Sequence, residues 1–503
     1  MLTAEDIEQL GRLNINESDV IEQVNAFKTG FPYLPVQKAA TVGDGIVRLE
    51  DNEINDLVAH YENMQSKVRI IKFVPASGAA SRMFKDLFAF LNETGPQLND
   101  HQAVARFFEG ISDFAFANDL AAVIEKSGAS FESVLNGQQY QSILSYVLTD
   151  KGLNYGNLPK GLIKFHKYGA TSRVAAEEHL MEGINYGQGN KNSVVIHFTV
   201  SPEHLPLFKD MAEKASHQWP EIQFEISFSE QKTATNTIAV DMNNEPFRER
   251  DNSILFRPGG HGALLSNLND LEAEIIFIKN IDNVVPDKIK DTTYRYKKAL
   301  AGLLLNLREK ISFHMQQLAA GEVGEETIEE AQKFLEDALN YKLPETFGDF
   351  DPDEKISYLQ SRLNRPTRIC GMVKNEGEPG GGPFWVENAD GSRSLQIAET
   401  SQLDMGDPAI ATMVQQSTHF NPVDLICSNV DFEGRKFDLM KYRDPSTGFI
   451  TEKSKDGKKL KAQELPGLWN GAMADWNTVF VEVPIITFNP VKTVNDLLRP
   501  QHQ

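Results

Sequence analysis

Val68-Arg69-Ile70-Ile71-Lys72-Phe73-Val74-Pro75-Ala76-Ser77-Gly78-Ala79-Ala80-Ser81-Arg82-Met83-Phe84-Lys85 is the stretch on which the fold reading turns. Its first seven residues form a largely apolar, β-branched run that reads as a buried strand. The small residues that follow lead into a helix expected from Arg82. The alternation continues downstream. Residues 193–200, 224–228, 237–241 and 274–279 read as strands, and 172–185, 203–218 and 259–271 as helices or loop into helix. This pattern implies an α/β fold with a mostly parallel central sheet flanked by helices. Upstream, 4–28 and 51–66 read as helices. Residues 86–150 look helical, and Phe107, Phe108, Ile111, Phe114 and Phe116 suit a helical insertion over 86–156 better than more sheet. Downstream, 292–340 reads as two helices. Strands at 369–373 and 395–398 surround a Gly-rich loop, 377–382, and 424–498 mixes short strands and turns. The expected organisation is an N-terminal helical segment (1–66), an α/β domain (67–400) carrying the insertion, and a small C-terminal α+β part (401–503).

Composition narrows the function classes. The chain has 503 residues, 50 Lys+Arg against 71 Asp+Glu, and a formal net charge of −21. A duplex nucleic-acid binder needs a basic face, so no nucleic-acid polymer is expected as partner. The same charge disfavours anionic lipid, and no apolar run is long enough for a membrane span. The acidic start, MLTAEDIEQLGRLN, does not read as a secretory leader. The only cysteines, Cys370 and Cys427, form no Cys-x-x-Cys, which excludes a thiolate zinc site. A cytoplasmic location is expected.

Five segments carry residues suited to chemistry. In Pro75–Lys85, small residues let backbone N–H groups approach phosphate at a helix start, and Arg82 and Lys85 are easier to explain beside an anion; a tight turn with surface cations is the alternative. Gly156–Arg173 holds Lys160, Lys164, Lys167 and Arg173 with no acid, which suits a polyanion site or a basic loop balancing acidic neighbours. Arg257–Gly262 offers glycine backbone on which a flat base or sugar can lie, with His261 as donor. Asp282 follows the strand 274–279, where ligands of open α/β sheets bind, and suits Mg²⁺ or a simple Asx turn. Arg362–Lys374, with Arg368 and Lys374, precedes the glycine loop and Phe384-Trp385. That segment reads as a lid with a stacking aromatic or as a long hairpin loop.

Taken in order, these segments resemble the nucleotidyltransferase-type sugar-1-phosphate pyrophosphorylases, nearest to the UDP-glucose and UDP-N-acetylhexosamine branch. Pro75–Met83 is similar to that family's L-A-G-G-x-G-T-R-L, with Ser77 and Ala80 in place of glycines. Leu158-Pro159-Lys160-Gly161-Leu162-Ile163 resembles its Pro-Lys motif, although the interval from Arg82 is much longer here. Phe228-Ser229-Glu230-Gln231, Pro258-Gly259-Gly260-His261-Gly262 and Asp282-Asn283 resemble its later motifs. Ile397-Ala398-Glu399-Thr400-Ser401 is a weaker match. Phe488-Asn489-Pro490-Val491-Lys492-Thr493 through Asp496-Leu497-Leu498 is similar to its Phe-x-Pro-Val-Lys-Thr-x-x-Asp-Leu-Leu. The whole chain also resembles an uncharacterised bacterial protein family.

The resemblance implies a nucleotide-diphospho-sugar transferase fold (GT-A-like, Rossmann-like). It also implies transfer of a nucleotidyl group from a nucleoside triphosphate, UTP by analogy, to a sugar 1-phosphate with release of pyrophosphate. On that model Ser77, Gly78, Ser81 and Arg82 cradle the triphosphate, and Lys160 and Lys492 neutralise transferring phosphate. Gln231, Gly259, Gly260 and His261 meet the nucleoside, and Asp282 holds Mg²⁺, the expected cofactor. Arg173, Arg368, Lys374 and Glu399 are candidate sugar or phosphate contacts. Two other readings stay open: a non-catalytic nucleotide or sugar-nucleotide binding protein, and a GT-A-type glycosyltransferase, for which Asn280-Ile281-Asp282 is one carboxylate short of Asp-x-Asp.

Overall fold

The computed structural model describes residues 2–377 and 380–503. The chain divides into two compact units. Unit 1 comprises 1–70, 231–278 and 297–485, and unit 2 comprises 71–230, 279–296 and 486–503. The fold is α/β, with a mostly parallel central sheet flanked by helices.

In unit 2 the strands Ile70–Pro75, Ser193–Thr199 and Gln223–Ser229 are adjacent and parallel. Their apolar residues explain the arrangement. Val74, Ile196, Phe198, Phe224, Ile226 and Phe228 lie in or against one core with Leu180, Phe208 and Met211 from the helices Ala175–Tyr186 and Leu205–Gln218. The expected insertion is helical, running from Lys85–Asn92 to Tyr140–Leu148. Phe107, Phe108, Ile111, Phe114 and Phe116 are all buried and belong to the same core as the sheet. They are therefore part of the unit's interior. Val491, Val494 and Leu497 join that core from the last segment of the chain.

In unit 1 the strands run in the order Thr41–Val42, Gly45–Val47, Asn477–Glu482, Thr367–Lys374, Asp424–Ser428, Ile275–Lys279. The first four are parallel, and Asp424–Ser428 pairs antiparallel with Thr367–Lys374. A four-stranded antiparallel sheet (Phe256–Arg257, Thr237–Val240, Lys458–Glu464, Phe449–Lys455) and a three-stranded one (Val36–Ala39, Gly382–Glu387, Arg393–Ala398) complete the unit.

Several local expectations shift. The helix expected from Arg82 begins at Lys85, after a single 3₁₀ turn Ala80–Arg82. The segment 172–185 opens as the strand Thr171–Val174, and its helix starts at Ala175. Residues 4–28 form two helices, interrupted at Asn14, whose left-handed backbone (φ 53°) ends the first. Phe384 and Trp385 are not lid residues. They lie in Gly382–Glu387 at 2% and 3% exposure, between two partner strands. The glycine loop before them falls partly outside the described residues. Among the described residues, no helix is long and apolar enough to cross a membrane.

Candidate functional site

Four segments distant in sequence meet in unit 2. The strand Ile70–Pro75 delivers the loop 76–84, whose first N–H, on Ala76, donates to the Thr199 carbonyl at 2.9 Å. The Lys160 N–H donates to the Gly78 carbonyl at 3.1 Å and the Ala80 N–H to the Leu158 carbonyl at 3.1 Å, so 158–160 lies antiparallel against 78–80. Pro159 fixes the entry to the 3₁₀ turn Lys160–Leu162. From there Lys160 Nζ donates to Asp282 Oδ2 at 2.8 Å and to the Val491 carbonyl at 2.9 Å.

Asp282 follows the strand Ile275–Lys279. The Val491 N–H donates to the Asp282 carbonyl at 3.1 Å, and the Asn489 N–H to Asn283 Oδ1 at 2.9 Å. Lys492 Nζ stands 3.5 Å from Asp282 Oδ2. Asp496 Oδ2 accepts from the Lys492 and Thr493 N–H groups at 2.8 and 2.7 Å, and the Val494 N–H reaches back to the Met83 carbonyl at 3.1 Å. Two lysines from segments remote in sequence thus converge on one carboxylate. The Lys160 side chain is 14% exposed, Asp282 10% and Lys492 62%. The first pair is a sheltered anchor, and the second cation faces outward.

Ser77, Gly78, Ser81 and Arg82 are exposed on the same loop. A Cβ built on Gly78 meets nothing within 4 Å, so its backbone borders open space. Arg82 forms no ion pair among the described residues. Sequence reading placed Mg²⁺ on Asp282. The donor set does not fit a divalent cation as it stands: one carboxylate, with Oδ2 shared by two ammonium groups, is surrounded by positive charge. It pairs with the two lysines instead. Asp496 and Asn283 stand in the matched segments without an assigned role, although the Thr493-x-x-Asp496 spacing is a readable capping signal.

Arg173 is drawn into another cluster of unit 2. It stacks on Tyr168, 4.0 Å from the ring centroid, and donates to Asp287 at 2.8 Å and Glu178 at 3.4 Å. Glu178 is wholly buried. Burial favours its neutral form, but His166 and Lys290 outweigh that and hold its carboxyl below the usual range. The carboxylate can only accept, so His166 donates from Nδ1 (2.9 Å) and takes the His502 Nδ1–H at Nε2 (3.0 Å). The expected sugar or phosphate role for Arg173 therefore competes with two carboxylates that already satisfy it.

The remaining candidates lie in unit 1. His261 stacks on Trp469 with centroids 4.4 Å apart, accepts the Leu468 N–H at Nδ1 (3.1 Å), and has Nε2 4.0 Å from Glu399. Burial lowers its pKa, and Glu399 and Glu464 oppose the shift. The neighbouring glycines serve packing. An added Cβ would stand 2.6 Å from the Thr235 carbonyl at Gly259 and 2.1 Å from the Pro466 carbonyl at Gly262. Gly260 has φ +74° with Glu464 against it. The expected bare backbone for a nucleoside is thus covered on that side by 464–467. Gln231 is half-buried and Lys374 exposed. Arg368 is fully buried, donating from Nε to Thr478 Oγ1 (2.9 Å) and from one terminal nitrogen to the Trp469 carbonyl (2.7 Å). This corrects its assignment as a sugar or phosphate contact, because the strand buries the side chain that was expected to reach a ligand.

The chain is similar to a UDP-glucose pyrophosphorylase mutant of Leishmania major solved with UDP-glucose (13% identity, TM-score 0.45, 99% of this chain and 79% of that one). It is also similar to the uridine diphosphate N-acetylglucosamine pyrophosphorylase of Trypanosoma brucei solved with an inhibitor (12%, TM-score 0.49, 99% and 79%). Both scores are too low to assign an activity. No curated protein matches the chain. The model of the family described as Domain of unknown function (DUF4301) matches residues 3–503, and the chain belongs to that family.

Proposed function

We propose that the chain is an enzyme of nucleotidyl transfer, using a nucleoside triphosphate, UTP by motif analogy, and a sugar 1-phosphate. The reading rests on one observation: Lys160 and Lys492 share Asp282 Oδ2 beside the exposed loop 77–82. In the reaction, a phosphate oxygen of the sugar 1-phosphate attacks the α-phosphorus. The bond from the α-phosphorus to the bridging oxygen breaks, and pyrophosphate leaves with the electron pair. No protein nucleophile is needed, only positioned cations and N–H donors. Lys492, the outward cation, meets the transferring phosphate. Lys160, fixed by Asp282 and the Val491 carbonyl, holds the second phosphate contact, and Gly78 leaves backbone open to the triphosphate. Mg²⁺ enters this reading as the counter-ion of the triphosphate. Both cysteines are free and buried, which suits the cytoplasm.

The test is pyrophosphate release from a panel of nucleoside triphosphates crossed with sugar 1-phosphates, with Mg²⁺, in wild type and Lys160→Ala. Release that requires both substrates and disappears in the variant supports the reading. Nucleotide binding without release would instead establish a non-catalytic binding protein.

A further inference from the structure

Unit 1 contains a hollow of about 520 Å³, within the roughly 300–1,000 Å³ of small-molecule sites. One wall is the helix Glu17–Thr29. Val20 and Phe27 place one side of that helix in a core with Ile238, Val240 and Ile254. Asp19, Glu22, Gln23 and Ala26 recur at the three- and four-residue spacing of one helix face and border the hollow. The other walls come from 234–236, 262–266, 440–446 and 463–466. Phe31, Leu265, Met440, Leu465 and Pro466 supply apolar surface.

Asp19, Glu22 and Arg443 are the charged residues of this lining. The Arg443 side chain is half-buried and makes no hydrogen bond or ion pair with a described residue. The exposed Glu22 side chain makes none either. Asp19 is half-buried and accepts only from Asn16 Nδ2, at 3.1 Å. The guanidinium and the two carboxylates therefore stand on separate walls of one hollow without pairing with each other. The charges just outside the lining are engaged. Lys232 pairs with Asp270 at 2.6 Å and donates to the Ser266 carbonyl at 3.3 Å. Asp444 accepts the Ser446 N–H at 2.9 Å and its hydroxyl at 2.7 Å. Asp19 gains from its place in the first turn of the helix, where the dipole favours a carboxylate. That benefit does not extend to Glu22 or Arg443.

We propose that this hollow binds a zwitterionic amino-acid compound with an apolar side chain, a free α-amino acid or a dipeptide. Arg443 takes the carboxylate, Glu22 and Asp19 take the ammonium, and the apolar side chain lies on Phe31, Leu265 and Met440. The charges of the lining select this class. A simple anion meets two carboxylates, and a simple cation meets an unpaired guanidinium. A molecule that carries both signs satisfies both walls. Hydrogen bonds between ionised groups are roughly twice as strong as neutral ones, and guanidinium matches carboxylate with two parallel donors. Lys160, Lys492 and Asp282 all belong to unit 2, so the proposal does not rest on the transfer reaction.

Calorimetric titration of the full chain with phenylalanine and with leucylphenylalanine tests this, each compound also in its N-acetyl and its carboxamide form. A zwitterion should bind at least about 10-fold more tightly than either of its blocked forms, and the tighter of the two zwitterions identifies the source. Arg443→Gln should weaken that zwitterion roughly 10- to 100-fold and leave the carboxamide form unchanged, because that form has no carboxylate to lose. Glu22→Gln combined with Asp19→Asn should weaken the zwitterion and leave the N-acetyl form unchanged. Lys160→Ala should bind as wild type does. If the double variant does not fold, Glu22→Gln alone carries that arm. Equal affinity for zwitterion and blocked forms overturns the proposal. So does unchanged affinity in the folded Arg443→Gln variant, loss of binding in Lys160→Ala, or no binding of either zwitterion to wild type.

Discussion

Lys160 and Lys492 touch the same oxygen but sit in different surroundings, and that difference separates stability from activity. Lys492 is mostly exposed, so Lys492→Ala should leave the melting temperature within about 1 °C of wild type, as surface changes do. Loss of a preorganised cation should lower turnover by roughly 10²–10³-fold. Lys160 is sheltered and satisfies both Asp282 and the Val491 carbonyl. Lys160→Ala should therefore lose activity to a similar degree and also about 1–3 kcal/mol of stability, read by urea unfolding. Asp282→Asn separates two roles. A lysine-positioning carboxylate predicts reduced turnover with the Mg²⁺ concentration for half-maximal rate unchanged. A raised Mg²⁺ requirement would restore the metal-ligand role. The residue types and their order were readable in the sequence, because lysines in acid-free segments stand out at a net charge of −21. The sharing of one oxygen was not, since it depends on contacts spanning 122 and 210 positions.

At the scale of elements, the last segment owes its position to the helical insertion. The 3₁₀ helix Val494–Leu498 buries Val494 and Leu497 in the core that holds Phe107 and Phe114. Asn495 Nδ2 donates to the Ala103 carbonyl at 2.8 Å. Gly110 lets the segment approach, because a Cβ there would lie 2.6 Å from Leu498. Leu497→Ala should cost about 2–5 kcal/mol. If the segment's seat sets the Lys492 position, it should also lower turnover well below melting; unchanged turnover in the folded variant would show that the insertion does not position Lys492. Strands such as Ser193–Thr199 were legible because their apolar runs are continuous, as buried parallel strands require. Gly382–Glu387 was hidden behind its glycines and Pro383, which locally signal a loop. Pairing on both sides makes it a strand.

Across the whole molecule, buried histidines set a pH limit. His166, His179 and His502 all have lowered pKa values, with burial the largest cause, and His502 is pushed down to about 3. The unfolded chain takes up protons near pH 6.5 while folded His502 stays neutral, so its stability contribution is complete above that pH. It is lost as pH falls from about 6.5 toward about 3. Wild type should therefore lose up to about 1.4 kcal/mol per pH unit more than His502→Gln between pH 6 and 4.5. Parallel urea midpoints in the two proteins would show that His502 does not couple folding to protons. The sequence by itself determined the α/β class, the strands with continuous apolar runs and the helical nature of the insertion, because apolar periodicity and small-residue loops are local properties. It also marked the segments in which cations and small residues are concentrated. Only the tertiary structure decided which charged residues face one another. It paired Lys160 and Lys492 through Asp282, closed Arg173 into a carboxylate cluster, buried Arg368 in a strand and filled the cradle beside Gly259 and Gly262. Each of these outcomes depends on chain segments that are remote in sequence, and desolvation and pairing act only once folding has brought them together.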